Sequence, residues 1–263
     1  MNKTLATVSI VTYNSKHIFT VLDNLRKEFE NDERFRFVIF DNNSSLDYQK
    51  KLKSYEDLVI LYFNDENKGF GYGHNSNFKK FAEDSEYFLV FNPDILVEKN
   101  SLLKMIHLMD QEKDIGLCFP KVLNEDGTKQ YLIRNRLTVF DFALRFIPFS
   151  FVKKMFHKRL ATYECQDLSD KHNSDVKIGS GCFMLLRSTV FEEAKGFDER
   201  YFMYFEDSDL SLTIGKLGAR LVYTPFSTVI HFYEKGAHKN KQLFKIFMQS
   251  MRKFFNKWGW NII

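Results

Sequence analysis

"VFNPDIL", residues 90–96, is a short apolar run broken at Asn92, Pro93 and Asp94. Proline has no backbone donor and fixes its own φ, so a strand arriving there ends. A carboxylate, Asp94, is left at the carboxyl end of that strand. In an open α/β sheet this edge is where ligands bind. The stretches upstream decide whether the sheet is of that kind. "ATVSIVTYN" (6–14) reads as a buried strand over Val8–Thr12, followed by apolar residues at helical spacing: Ile18, Val21, Leu22, Leu25 and Phe29. "RFVIFDNNSS" (36–45) is a second strand, "YQKKLKSYE" (48–56) a short helix and "LVILYF" (58–63) a third strand. The glycine-rich "NDENKGFGYGHNSNFKKFAED" (64–84) runs into a helix, and "YFLVFNPD" (87–94) is the fourth strand. "NSLLKMIHLMDQ" (100–111) then reads as a helix with Asn100 as its cap.

This alternation predicts a parallel sheet with right-handed crossovers. Its polar clusters, Thr12-Tyr13-Asn14, Asp41-Asn42-Asn43-Ser44, Asn64-Asp65 and Asn92-Pro93-Asp94, all fall at strand carboxyl ends, which points to one shared ligand site. From about residue 117 the rhythm changes. "GLCFPKVLNEDGTKQYLI" (116–133) reads as a hairpin around Glu125-Asp126-Gly127, and residues 136–175 as irregular, basic and aromatic. "VKIGSGCFMLLRSTVF" (176–191) reads as a strand, "RLVYTPFSTVIHFY" (220–233) as a further pair, and "QLFKIFMQSMRKFFNKWGW" (242–260) as an amphipathic helix.

The 263 residues suit one elaborated domain, and a hydrophobic share of 44% with 27% charged residues is that of a soluble globular protein. The three cysteines, Cys118, Cys165 and Cys182, lack a metal-ligand spacing and read as reduced thiols in a cytosolic protein. Neither a secretory signal nor a membrane-spanning run is expected, since a strand-like stretch begins almost at once and no apolar stretch is long enough to cross a bilayer. The net charge of +4 is weak support for an anionic partner.

Four constellations carry chemistry. Asp41 in "FDNNSS" can accept hydrogen bonds from a base or ribose, and alone it reads equally well as an Asx-turn. In "NKGFGYGHN" (67–75) the glycines allow close backbone approach, and amides at a helix start favour anions. These glycines run G-x-G-x-G after the third strand, which argues against a dinucleotide fingerprint. In "FMYFEDSDLSLTIGKLGARL" (202–221), Glu206, Asp207 and Asp209 open a helix behind Phe202, Tyr204 and Phe205. The helix dipole alone favours acids there, but adjacent apolar surface raises a carboxylate's proton affinity and suits a general base. His231 is a lone histidine at a strand end, of value only with oxygen partners for a shared metal.

In this order the pieces resemble an inverting family 2 glycosyltransferase of the GT-A fold, nearest to the rhamnosyltransferase-like enzymes of bacterial polysaccharide assembly. "VSIVTYNS" resembles the family's first strand, "DNNSS" its base-binding turn, "NKGFGYGHNSN" its N-x-G-F-x-x-G-x-N loop and "VFNPDIL" the N-P-D form of its metal motif. "GSGCFMLLRSTVFEEAKGFDERYFMYFEDSDL" (179–210) resembles the acceptor-side block that ends in the catalytic acid pair. The resemblance implies an α/β fold with a Rossmann-like, mostly parallel central sheet flanked by helices. A GT-A domain would span 1–235, with a nucleotide-sugar half at 1–116 and an acceptor half at 117–235, followed by an amphipathic helix at 236–263.

It further implies that Asp41 contacts the nucleotide base, that Thr12, Tyr13 and Asn14 line the same pocket, and that Asn43, Asn67, Gly69, Phe70, Asn75 and Asn92 complete the donor set. Asp94 would bind a divalent metal, Mn2+ or Mg2+, bridging the diphosphate of a dTDP- or UDP-sugar, with His231 as a second ligand. Asp207 would be the base that deprotonates the acceptor hydroxyl, and Glu206 would position the acceptor. Two positions depart from the family pattern: Asn92 stands where a second metal-motif acid is common, and Thr213 where the acid-pair helix often carries arginine.

The last helix places Leu243, Phe244, Phe247, Met251, Phe254, Phe255 and Trp258 on one face, ringed by lysines and Arg252. This face either packs on the domain or lies on an anionic leaflet, and "FALRFIPFSFVKKMFHKRL" (142–160) has the same basic-aromatic character. A glycan or lipid-linked glycan acceptor at the cytoplasmic face would suit both segments, and no nucleic-acid motif is present. Two other readings stand beside the transferase. A sugar-nucleotide-forming nucleotidyltransferase would want a glycine- and arginine-rich loop where "TYNSKH" stands. A non-catalytic, membrane-associated relative would lack turnover. Sugar, acceptor and oligomeric state are left open.

Overall fold

The computed structural model describes residues 4–232 and 241–263. The alternating half folds as expected: β1 (Ala6–Thr12), α1 (Ile18–Phe29), β2 (Phe35–Asp41), α2 (Leu46–Leu52), β3 (Ile60–Phe63), α3 (Phe70–Phe81) and β4 (Tyr87–Phe91). β1 and β4 are buried along their whole length, as strands covered on both faces are. β2 and β4 flank β1 in parallel, and β3 pairs in parallel with β2. The chain then continues through β5 (Ile95–Val97), α4 (Lys99–Gln111), β6 (Ile115–Leu123), β7 (Lys129–Gln130), α5 (Val139–Phe146), α6 (Ser150–Met155), α7 (His157–Tyr163) and β8 (Ser174–Asp175). It ends with β9 (Phe183–Arg187), α8 (Ser188–Glu193), α9 (Glu206–Lys216), β10 (Arg220–His231) and α10 (Lys241–Trp258).

The main sheet order is β3-β2-β1-β4-β9-β6-β10-β5. β9 is antiparallel to both β4 and β6, and β10 is parallel to β6. The six other long strands therefore run one way and β9 alone runs against them, giving a mostly parallel central sheet flanked by helices. Short β5, β7 and β8 add antiparallel pairings to β10 and β6. One core cluster unites α1 and α4 with one sheet face, and a second unites α3, α8 and α9 with the other. Among the described residues no helix is long and apolar enough to cross a membrane.

Several local expectations change. Asn100 does not cap α4: the helix starts at Lys99 behind an extended Glu98, and the Lys99 amide donates instead to Glu28 of α1 (3.1 Å). Residues 136–175 are not irregular throughout, since they form three short helices; Thr138 caps the first by accepting from the Asp141 amide, and Pro148 keeps the run from continuing. The strand expected over 176–191 is confined to Phe183–Arg187 and passes directly into α8. The pair expected over 220–233 is one strand, β10, whose register with β6 shifts between Thr224 and Thr228. Pro225 lies in that interval and supplies no ladder donor. The hairpin around Glu125–Gly127 forms as expected, with Gly127 at φ +80°.

The helix face singled out at 242–260 turns partly inward. Phe247, Phe254 and Phe255 are buried with Leu137, Phe142, Tyr163, Ile178, Tyr201 and Phe205 in a third core cluster. Asp209 of α9 is the polar anchor, accepting from Lys257 Nζ (2.7 Å) and Trp258 Nε1 (2.7 Å). Ser250 also donates to the Met203 carbonyl (2.8 Å), so α10 braces the segment that leads into α9. The boundary at 235 lies outside the described residues.

Candidate active site

The four parallel strands end together, as their register requires: Thr12 pairs with Asp41, and Asp41 with Phe63. Asp41 is buried. Its Oδ2 accepts from the Ser44 amide (3.0 Å) and from Gln49 (2.7 Å), which is the turn-closing role. Its Oδ1 is buried with no hydrogen-bond donor among the described residues. The turn-closing reading of this residue is thus seen, and Oδ1 is left able to accept a further hydrogen bond. The Thr12 hydroxyl bonds Tyr48 Oη, and the Asn14 side chain accepts from the Ser45 amide (3.0 Å), while Tyr13 is exposed.

Asn43 points outward at φ +64°, and its buried neighbour Asn42 makes the structural link the sequence reading missed. Asn42 donates to the Gly69 carbonyl (3.0 Å) and accepts from the Lys68 amide (3.2 Å), clamping the glycine loop onto β2. Asn67 turns the loop by accepting from the Gly69 amide (3.0 Å). Gly69 sits at φ +93°, and a Cβ there would lie 2.1 Å from the Phe202 carbonyl oxygen. The same carbonyl accepts from the Phe70 amide (3.0 Å), so the glycine loop and the segment before the acids meet backbone to backbone. Asn75 lies farther along, with its amide bonded to Phe197 in both directions (2.9 and 2.8 Å) and to Glu199 (2.9 Å).

Beyond β4 the chain crosses to the far edge of the sheet, where β5 pairs with the end of β10: Val229 with Val97, Ile230 with Leu96, His231 with Ile95. This pairing brings His231 to Asp94, with Nε2 3.4 Å from Oδ1. Gln130 of β7 fixes the imidazole. Its amide nitrogen donates to Asn124 (2.7 Å) and to the His231 carbonyl (3.0 Å), so its oxygen accepts from His231 Nδ1 (2.9 Å). In the neutral ring Nε2 then carries the lone pair and faces Asp94. Oδ1 of Asp94 and Oδ1 of Asn92 are both buried without a hydrogen-bond donor among the described residues. Among the described residues no three His, Cys, Asp or Glu side chains form a metal cluster. The protein thus offers a divalent cation a carboxylate and an imidazole, a set that oxygens of a bound diphosphate would complete.

The acid pair opens α9. Tyr204 and Phe205 both adopt left-handed backbone, φ +72° and +70°, immediately before α9. Bulky residues rarely do so, and the surrounding core together with α10 must hold them there. Asp207 accepts from the Gly181 amide (2.9 Å) and the Ser208 amide (2.7 Å). A Cβ on Gly181 would lie 3.2 Å from Asp207 Cβ and 3.3 Å from the Phe70 ring, so glycine lets the 67–75 loop and the acid meet. Burial pushes the Asp207 carboxyl upward, opposed by those amides and by the charge of Arg134. Glu206 is buried, its Oε2 lacks a donor, and burial followed by the Asp207 charge pushes it up to about 8. Cys182 ties the two sides together: burial first, and then the charges of Asp94 and Asp207, push its thiol up to about 12. Thr213, at the arginine position, donates to the Asp209 carbonyl within its own helix (2.8 Å).

Residues 7–194 match the family described as Glycosyl transferase family 2. The chain is 28% identical over 242 residues to rhamnosyltransferase WbbL of Escherichia coli (strain K12), covering 87% of this chain and 82% of that protein. It is 26% identical over 210 residues to the N-acetylglucosaminyl-diphospho-decaprenol L-rhamnosyltransferase of Mycobacterium tuberculosis, covering 76% and 67%. Among solved structures, GalNAc-T7 with UDP, GalNAc and Mn2+ superposes with a TM-score of 0.68 at 17% identity, over 95% of this chain and 48% of that one. The mannosyltransferase PcManGT from Pyrobaculum calidifontis, with GDP-Man and Mn2+, gives 0.58 at 17% identity, over 89% and 58%. The chain spans about half the length of these two proteins, and the likeness to them is one of fold.

Proposed function

The chain belongs to glycosyl transferase family 2, and on that premise we propose that it is a metal-assisted, inverting enzyme. It moves a sugar from a nucleoside diphosphate to a hydroxyl of a glycan or lipid-linked glycan in bacterial cell-surface polysaccharide synthesis. The observation that carries this reading is a set of buried side-chain oxygens with no donor among the described residues: Asp41 Oδ1, Asn92 Oδ1, Asp94 Oδ1 and Glu206 Oε2. Unmet buried acceptors on separate elements are what a polar ligand satisfies on binding.

Asp41, with Thr12, Tyr13 and Asn14 around it, receives the base and ribose. Asn43, Asn67, Gly69, Phe70 and Asn75 belong to the donor side, where Gly69 lets the backbone come close and Asn75 supports the loop through Phe197. Asp94 and His231 would hold the divalent cation, whose charge when bound offsets that of the leaving diphosphate. Asp207, whose proton affinity burial raises against the pull of two amides and Arg134, takes the proton from the acceptor hydroxyl. The hydroxyl oxygen then bonds to the anomeric carbon as the bond to the diphosphate breaks, so the configuration inverts. Glu206, proton-bearing at neutral pH, donates a hydrogen bond that orients the acceptor.

The names of two relatives favour rhamnose as the sugar, and that of the Mycobacterium tuberculosis protein favours L-rhamnose and a lipid diphosphate glycan as the acceptor. A panel of dTDP-, UDP- and GDP-sugars, assayed with Mn2+, with Mg2+ and with a chelator, tests the reading. Transfer from a dTDP- or UDP-sugar that is lost on chelation, with an inverted anomeric centre by NMR, is the expected result. Retention of configuration, or full turnover with chelator, would contradict it.

A further inference from the structure

We propose that the α6 corner, built around Phe149, Phe151 and Met155, is the surface that seats this enzyme on an anionic lipid bilayer. Those three side chains are 60%, 69% and 67% exposed, and the two phenylalanine rings lie 5.9 Å apart. Clustered large apolar groups in solvent mark an interaction surface, whereas scattered ones do not. The charge around them has one sign. Between Asp141 and Glu164 there is no acidic residue, while Arg145, Lys153, Lys154, Lys158 and Arg159 are basic. Only Arg159 of these has an ion-pair partner among the described residues, the buried Asp141 at 2.6 Å. That pair, with Phe140 packed on Phe156 (5.4 Å), fastens the corner to the domain from beneath and leaves its apolar tip and free lysines facing out. Aromatic side chains with lysines around them suit the boundary between headgroups and acyl chains of an anionic leaflet.

The site lies in the right direction. α7 leads from this corner to Tyr163, whose ring lies under the Arg134 guanidinium (4.9 Å), and the charge of Arg134 reaches Asp207. A lipid-borne acceptor held by the bilayer at α6 would therefore present its glycan on the side of the acid pair. The proposal rests on the lipid-linked acceptor reading above, although its test does not. It also moves the contact off α10, whose Phe247, Phe254 and Phe255 are buried in the core. A second copy of the chain fits less well, because a two-fold contact would set these lysines against their own counterparts.

The test is flotation of the full chain with phosphatidylcholine vesicles, with and without phosphatidylglycerol. Wild type should bind only the anionic vesicles and release in high salt. F149S/F151S and K153S/K154S/K158S should each bind at least about tenfold more weakly. Both should keep the wild-type Tm and wild-type transfer to a water-soluble glycan acceptor. Equal binding by all three proteins, or indifference to phosphatidylglycerol, would overturn the proposal. So would a dimer in sedimentation that F149S/F151S dissolves, or displacement of the vesicles by single-stranded RNA. If wild type transfers to no soluble acceptor, the transferase reading fails while the vesicle result still decides the docking surface.

Discussion

Glu206 and Asp207 are adjacent in sequence but differ in what surrounds their carboxylates. Burial raises the proton affinity of both carboxyls, and backbone amides oppose it at both. The charge of Arg134 eases Asp207, whereas Glu206 feels the charge of Asp207 and keeps a buried Oε2 with no donor among the described residues. Its affinity is raised from the ordinary 4.5 to about 8, so between those values unfolding releases a proton and rising pH destabilises the fold. The slope is about 1.4 kcal/mol per pH unit for one fully coupled group. Glu206→Gln removes it. The Tm of the variant relative to wild type should therefore rise between pH 5.5 and pH 8, by about 3 °C per unit. A difference in Tm that is flat with pH would show that Glu206 ionises normally. Apolar neighbours in "FMYFEDSD" made a raised carboxyl legible from sequence. The Gly181 amide that meets Asp207 was not, since it donates from 26 residues away.

Single contacts between distant elements decide the arrangement at the next scale. Gly69 places the start of α3 against the Phe202 carbonyl, and α10 braces the same segment through Ser250 and through Asp209. Gly69→Ala meets both a left-handed φ and a 2.1 Å overlap with backbone. It should cost at least about 2 kcal/mol, seen as a Tm lower by about 4 °C or more. An unchanged Tm would mean that loop and acid segment are not in register as described. The strands β1, β2 and β4 were legible because buried parallel strands read as unbroken apolar runs. The insertion of β9, the continuity of β10 through Pro225 and the fixing of His231 by Gln130 were not, because each depends on pairing between residues far apart in the chain. The inward face of α10 was not legible either: an apolar helix stripe reads the same whether core or bilayer covers it.

At the scale of the whole molecule, one sheet joins the two halves expected from sequence, with β9 between β4 and β6. A continuous sheet with cores on both faces should unfold as one unit. Thermal unfolding should show a single transition that a nucleoside diphosphate with Mn2+ moves upward as a whole, by about 2.7 kcal/mol at a hundredfold excess over Kd. Two transitions, only one of them ligand-sensitive, would indicate separable halves. Within this single body the proposed function divides the chemistry: it assigns donor and cation to the ends of β1, β2 and β4 with His231, and the proton transfer to the start of α9. Asp207→Asn tests that division most directly, with transfer and calorimetric donor binding measured on the same sample. The account predicts that transfer falls at least about 100-fold while donor affinity with Mn2+ stays that of the wild type. Near-normal turnover would contradict it, as would a loss of donor binding that matches the loss of transfer.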